Sequence, residues 1–462
     1  MRSVKEIIIF AFFCSSALSV NAQGLFDSYS GGKAAGTWSL SGFTRSGNYF
    51  GRDYSDNYHF TSSFADLGIR LETGNSATFR ASAEMRYRYG REYDQHISLP
   101  DLREAWAGVY SPHFSFEMGK KIVKWGRVDF FSRVNMVTPT DDLYRSPDKS
   151  DRDLANIMAA ATWSPSNAVT FTALIIPVYR PSLFRFDLMD IPEFVDITPF
   201  EVSYSDYNMT GFGARNDYHL KNFDFSFYFF DGYNKLPGIK LDMLRITEEP
   251  LPDSPAIILA EEPYKARMLG LDMEGVTGKA IWRLEFSWNS PYGGSTQEEH
   301  IPFPELNWVA AAGLSPGPFQ ITLEYGGKYI LDWTMIETEP SFPGEEMLGQ
   351  LALIPAEMAE DAVKKQVASF NRLYNYQVEK QYHMVGINIQ SAQTKSRWTP
   401  DISAIYNFTT RELVIIPALL FQPFDRVSLK GGLEYWYGDD GTLYDYISIP
   451  VNSVFISFRI NF

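Results

Sequence analysis

The chain has 462 residues, a formal charge of −15, one cysteine and 26 Pro, and 16 % of it is aromatic. So much aromatic content argues against a disordered chain, and 33 Gly against a collagen-like one; the acidic balance argues against a nucleic-acid partner, which needs a basic face. No internal apolar run reaches the roughly 18 residues of a membrane helix. A mean hydropathy of −0.20 fits a soluble protein, or a barrel whose strands are half apolar and half polar.

Residues 1–22 read as a secretory leader. Arg2 and Lys5 precede an apolar core from Ile7 to Ala17, and Val20-Asn21-Ala22 supplies a small-residue cleavage context before Gln23. Cleavage after Ala22 removes Cys14, the sole cysteine, and leaves residues 23–462 as one exported domain.

From there the chain is a succession of period-two segments. Phe79, Ala81, Ala83, Met85 and Tyr87 alternate with Arg80, Ser82, Glu84, Arg86 and Arg88. Trp282, Leu284, Phe286 and Trp288 alternate with Arg283, Glu285, Ser287 and Asn289, and Phe319, Ile321, Leu323 and Tyr325 with Gln320, Thr322 and Glu324. Side chains alternate between the two faces of a strand, so one face is greasy and the other polar. Strands are expected at 37–48, 58–73, 77–89, 101–111, 114–125, 155–163, 168–178, 207–216, 221–232, 266–276, 279–289, 306–315, 318–330, 382–392, 399–408, 412–422, 426–437 and 452–462. Tight turns, for example at Gly74-Asn75, Asp217 to Leu220 and Ser315-Pro316-Gly317, largely alternate with long links at 126–154, 179–206, 233–265, 290–305 and 331–381.

This pattern predicts an all-β fold: a single transmembrane antiparallel β-barrel of about eighteen strands. Sixteen is the alternative, because 399–422 has the weakest boundaries. A sheet can cross lipid only if it closes and leaves no edge. A large soluble sandwich or propeller is the rival, but it would place the apolar face inward. The short-turn end is expected in the periplasm and the long links outside the cell. In the longest link, Glu345 to Ile354 and Ala356 to Tyr374 read as helix broken by Pro355, with Met358, Ala362, Val363, Phe370 and Leu373 as an apolar face for a lid or plug, or for a self-packed external loop. The last strand sets Val454, Ile456, Phe458, Ile460 and Phe462 on one face, and this resembles the signal read by the outer-membrane assembly machinery.

Catalytic motifs are nearly absent. The six histidines are scattered, and no nucleophile elbow, phosphate loop or metal-spaced His/Cys set occurs. Asp141, Asp142, Asp148, Asp151 and Asp153 lack EF-hand spacing and are interrupted by Arg145, Lys149 and Arg152, which favours a solvated or internally salt-bridged loop over Ca²⁺. The charges on the polar faces are the site candidates: Arg80, Glu84, Arg86, Arg88, Glu117, Lys121, Arg283 and Glu285, with Arg459 on the last strand. They can line a pore or brace it. The 127–154 loop adds Arg127, Asp129 and Arg133. It is expected to fold inward, because Phe130, Phe131, Val134, Met136 and Val137 lose about 25 cal/mol per Å² if left in water.

The run from Met118 through Lys120-Lys121, Trp125-Gly126, Asn135, Thr138-Pro139 and Leu143 to Arg145-Ser146-Pro147 carries a family likeness. Over about residues 104–165 it resembles a family of uncharacterised Gram-negative outer-membrane barrels with a Trp-Gly motif. The resemblance implies movement of hydrophobic or lipid-like molecules, sometimes beside inner-membrane export pumps. Arg127-Val128-Asp129 departs from the acidic or small residue many members carry there.

The leading expectation is an outer-membrane channel or transporter that passes or binds small amphipathic or hydrophobic molecules through a partly occluded lumen, without cofactor or catalysis. Its partners are outer-membrane lipid, a small-molecule solute, the assembly machinery and an envelope export partner. The alternatives are a plugged barrel acting as an envelope scaffold and a barrel-embedded lipid hydrolase.

Overall fold

The computed structural model describes residues 37–74, 78–204, 208–245, 256–293, 298–336, 338–391 and 396–462. The expected leader, residues 1–22, lies outside them. Eighteen strands form one sheet in which each pairs antiparallel with its sequence neighbours, from Thr37–Arg52 to Ser453–Asn461. The last strand pairs with the first, Asn461 opposite Phe43 and Ser453 opposite Gly51, and closes the ring. The sixteen-strand alternative fails because 399–422 holds two strands, Trp398–Asn407 and Glu412–Phe424, separated by a four-residue turn.

Alternation does what the pattern requires. Leu284 on strand Ala280–Pro291 is 47 % exposed toward lipid, while its neighbour Glu285 is 3 % exposed and faces in. On Ser453–Asn461, Val454, Ile456 and Phe458 are exposed and Ser453, Phe455 and Ser457 are buried. Leu284→Arg should therefore block assembly or cost about 2–4 kcal/mol, as a charge near the bilayer midplane does on a barrel exterior. Arg283→Leu, whose guanidinium pairs inward with Glu274 at 2.7 Å, should still fold. Heat-modifiability on gels reads the difference; equal behaviour of the two variants would reverse the assignment of faces.

Among the boundaries that differ from the sequence reading, three bear on the inner wall and its turns. Strand Phe114–Lys121 stops four residues short of the expected Trp125, because the chain there turns inward. Strand Gly211–His219 replaces the expected 207–216, and Asp217, read as a turn residue, is a buried wall residue bonded to Arg215 at 2.7 Å. Strand Gln95–Tyr110 begins earlier than 101, since Tyr93 and Asp94 alone make the hairpin turn, with φ of 47° and 64°.

The long links build a cap. Three short strands, Val195–Thr198, Gly238–Leu244 and Ile257–Glu262, form a separate sheet. Helices Glu345–Leu351, Ala356–Tyr374 and Leu443–Val451 pack with it. Ile239, Ile257, Leu259, Ala359, Val363, Phe370 and Ile447 share one buried core. Asn371 ties helix to sheet: its side chain accepts the Ile239 N–H at 2.8 Å and donates to the Ile239 carbonyl at 2.7 Å. The buried stripe of the long helix runs Ala359, Val363, Val367, Phe370 and Leu373; Met358, expected on it, is exposed.

Candidate functional site

The chain leaves the wall after Lys121, where the Ile122 N–H donates to Glu104 Oε1 at 3.0 Å. Residues 122–155 then cross the lumen. Trp125 is buried against Tyr228, ring centroids 5.4 Å apart, so the Trp-Gly pair is no strand end. Gly126 holds φ +88°, and a Cβ there would lie 2.6 Å from Glu285 Oε2, so only glycine makes this bend.

Wall glycines form sockets for the loop. A Cβ on Gly213 would meet Trp125 at 2.6 Å, one on Gly270 would meet Val134 at 2.6 Å, and those on Gly326 and Gly386 would meet Phe131 and Phe130 at 2.9 Å. Burial of these side chains supplies the apolar part of the attachment.

Two wall carboxylates supply the polar part. Glu324 accepts the N–H groups of Asp129 at 2.5 Å and Phe130 at 2.9 Å. Glu285 accepts those of Arg133 at 2.7 Å and Val134 at 3.3 Å, and the Ser132 hydroxyl donates to it at 3.0 Å. Arg127 reaches Asp272 at 3.0 Å and Asp224 at 3.4 Å. A carboxylate bonded to two or three donors has its charge satisfied where water is scarce.

The other bank is an ion-pair lattice. Arg45 binds Asp66 at 2.6 Å, Asp151 at 2.7 Å and Asp148 at 3.0 Å. Arg86 binds Asp151 and Glu84, both at 2.6 Å, and Arg88 binds Asp66 at 2.7 Å and Glu92 at 3.0 Å. Burial works against the Asp151 carboxylate, but Arg45 and Arg86 beside it hold it well below the usual carboxylate range. Burial, opposed by Arg185 and aided by the neighbouring Glu92 and Asp142, lifts Asp141 to about 6. Arg145 is buried between the Tyr49 and Tyr93 rings and binds Glu434, with its Nη2 on the Pro450 carbonyl at 2.8 Å.

The residues singled out from sequence thus fall into separate groups. Arg86, Arg88 and Glu84 belong to this lattice. Arg127, Asp129 and Glu285 lie at the loop's far attachment, with Arg283 pairing Glu274 there and lying 3.5 Å from Asp129. Glu117 pairs with Lys121 at 2.5 Å and accepts the Tyr110 hydroxyl, and Arg80 lies over the Tyr110 ring. Arg133 stands apart in the cavity. Sequence reasoning missed Arg45, Asp66, Asp272, Glu324 and Lys235 as site residues, and named Arg145 only as a loop charge able to pair with the wall. Glu324 and Asp66 carry a signal, a charge on the inward alternate of a strand, whereas Lys235 lies in a link without periodicity.

Above the loop lies a cavity of about 620 Å³. Its wall includes Phe130, Tyr374, Tyr376, Trp436, Tyr444 and Ile447, together with Arg133 and Lys235. Neither the Arg133 guanidinium nor the Lys235 ammonium has an ion-pair or hydrogen-bond partner among the described residues. Burial pushes the Lys235 ammonium down. The Tyr374 hydroxyl and Trp436 Nε1 are buried with no partner among those residues.

The outcome is a closed eighteen-strand β-barrel of outer-membrane type with an apolar exterior. Solved structures share it. The BenF-like porin from Pseudomonas fluorescens Pf-5 is 9 % identical with a TM-score of 0.52, over 92 % of this chain and 98 % of that one. Pseudomonas aeruginosa OccD3 (OpdP) is 11 % identical with a TM-score of 0.50, over 94 % of each chain. P. aeruginosa OccK2 (OpdF), solved in complex with glucuronate, is 9 % identical with a TM-score of 0.51, over 92 % and 95 %. No family model and no curated protein matches the sequence.

Proposed function

We propose that this outer-membrane barrel is a channel for small amphipathic solutes carrying an acidic group, with the 122–155 loop as its constriction. The observation that carries this reading is the cavity, where two unpaired cations, Arg133 and Lys235, share a wall with Tyr374, Tyr376, Tyr444 and Ile447. A half-buried cation without a direct ion-pair contact favours a ligand that brings an acidic group. Aromatic and aliphatic walls favour an apolar body on that ligand. The glucuronate in OccK2 supports the acidic half, and the resemblance of residues 104–165 to a family implied in lipid-like transport supports the apolar half. Assembly through the strand ending in Phe462 and an export partner in the envelope belong to the same reading.

Ion current through the barrel in a planar bilayer should be blocked by dodecanoate more strongly than by glucuronate, which lacks the apolar body. Arg133→Met with Lys235→Met should weaken the block about tenfold, or about 1.4 kcal/mol. Equal block of both proteins would remove the cations from the site. A scaffold reading is favoured by one observation, the shared core of the cap. It predicts no current and no solute transfer at all.

A further inference from the structure

The wall is incomplete at one place. Strand Gln95–Tyr110 pairs with strand Phe79–Glu92 along its whole length, from Gln95 to Val109. On its other side it pairs with strand Phe114–Lys121 only from Ala105 to Tyr110. Its upper half therefore has no strand beside it, because the chain that would have continued there has turned into the lumen at Ile122. The register fixes the depth of this free edge. Leu102 lies opposite Met85, Pro100 opposite Tyr87 and Ser98 opposite Tyr89, on the lipid-facing alternate of the neighbouring strand. The edge thus lies on the lipid-facing side of the wall, toward its long-loop end. Strand Phe114–Lys121 beside it has only eight residues. Eight residues at about 3.3 Å rise and about 45° tilt climb about 19 Å, less than an apolar band of about 25 Å.

An unpaired strand edge in hydrocarbon leaves N–H and C=O groups without partners, which is why barrels close. This edge is adapted to being open. Pro100 has no N–H to leave unpaired and is tolerated on edges. Lys120 reaches up to the Leu102 carbonyl and to Asp101 at 3.3 Å. Leu99 pairs with Arg88 and so falls on the inward alternate, yet it is 58 % exposed where Arg88 is 4 % exposed. Behind the gap, Lys124 pairs with Asp153 at 2.6 Å, and both line the cavity.

We propose that the gap between the upper half of strand Gln95–Tyr110 and the inward-turning residues 122–125 is a lateral portal. A single-chain amphiphile with an acidic head passes through it between the cavity and the surrounding leaflet, its acyl chain lying along Leu99 and Leu102. The proposal rests on the reading of the barrel as a conduit for amphipathic acids. Lateral passage suits a solute partitioned into lipid, and it avoids the capped mouth.

Two variants test it in proteoliposomes of the full chain. A nitroxide on Leu99→Cys reports contact, and one on Leu284→Cys serves as the lipid-facing standard. Oxygen should relax both more than a nickel chelate does. Chelate-dominated relaxation at position 99 would overturn the portal, since the gap would then open to water. A bulky maleimide polymer on Ser98→Cys, at the free edge, should slow dodecanoate transfer into the lumen about tenfold while leaving potassium chloride conductance unchanged. No slowing, an equal loss of conductance, or a disulfide-linked dimer of the Ser98→Cys variant, which would mark the edge as a contact between two copies, would each overturn it. If the unlabelled barrel moves no dodecanoate while position 99 still reads lipid, the conduit reading fails together with the portal's use, but the opening in the wall stands.

Discussion

A barrel lacking residues 129–144 should assemble and conduct several times more current than the intact chain. The deletion removes the bank held by the two wall glutamates and leaves the ion-pair lattice of Arg145, Asp148 and Asp151 in place. Glu324 loses the N–H groups of Asp129 and Phe130, Glu285 loses those of Arg133 and Val134, and the sockets at Gly270, Gly326 and Gly386 empty. The eighteen-strand ladder is untouched, since none of these residues belongs to it. An eighteen-strand ring without its internal loop has the width of an aqueous channel. Single-channel recording of the two proteins decides the matter. Unchanged conductance in an assembled deletion variant would move the narrowest point to the cap, with helix Ala356–Tyr374 next in line.

Replacing Arg145 by Met should cost about 3–5 kcal/mol, the usual effect of breaking a buried ion pair from one side. Arg145 is among the largest fully buried side chains, and it satisfies Glu434, the Pro450 and Val451 carbonyls and the Ser453 hydroxyl. Its loss leaves Glu434 charged, with Arg152 at 3.9 Å as the nearest ion-pair partner. Adding Glu434→Gln should recover part of the loss, because the uncompensated charge goes with it. Denaturant unfolding in detergent micelles measures both variants. A single variant as stable as the parent would mean that the pair contributes nothing to holding loop and last strand together.

The ring was legible from residue order because alternation is a local property. Trp282 to Asn289 shows it without reference to anything distant, and the eighteen expected segments all correspond to wall strands. Helix Ala356–Tyr374 was legible for a similar reason, with Pro355 marking its start. The failures lie where distant contacts decide. Ile122 and Val123 could continue a strand, yet Glu104 takes the Ile122 N–H and Trp125 finds its socket at Gly213. Asp217 looks like a turn residue until the Ser226 hydroxyl, which donates to it at 2.7 Å, shows it to be part of the inner wall. The charges of the site could be assigned to the lumen side, but their pairing could not. Arg86 meets Asp151 across 65 positions, and no period in the sequence encodes that.

The two wall glutamates hold mainly main-chain N–H groups, with the Ser132 hydroxyl as the added side-chain donor. Every amino acid except proline offers that N–H. Positions 129 and 133 can therefore drift in charge and size without unfastening the loop, whereas Val134 in its Gly270 socket, Glu285 and Glu324 cannot. Selectivity and attachment are thereby separable traits. A library randomised at Asp129 and Arg133 alone would retune what the channel admits on an otherwise constant frame.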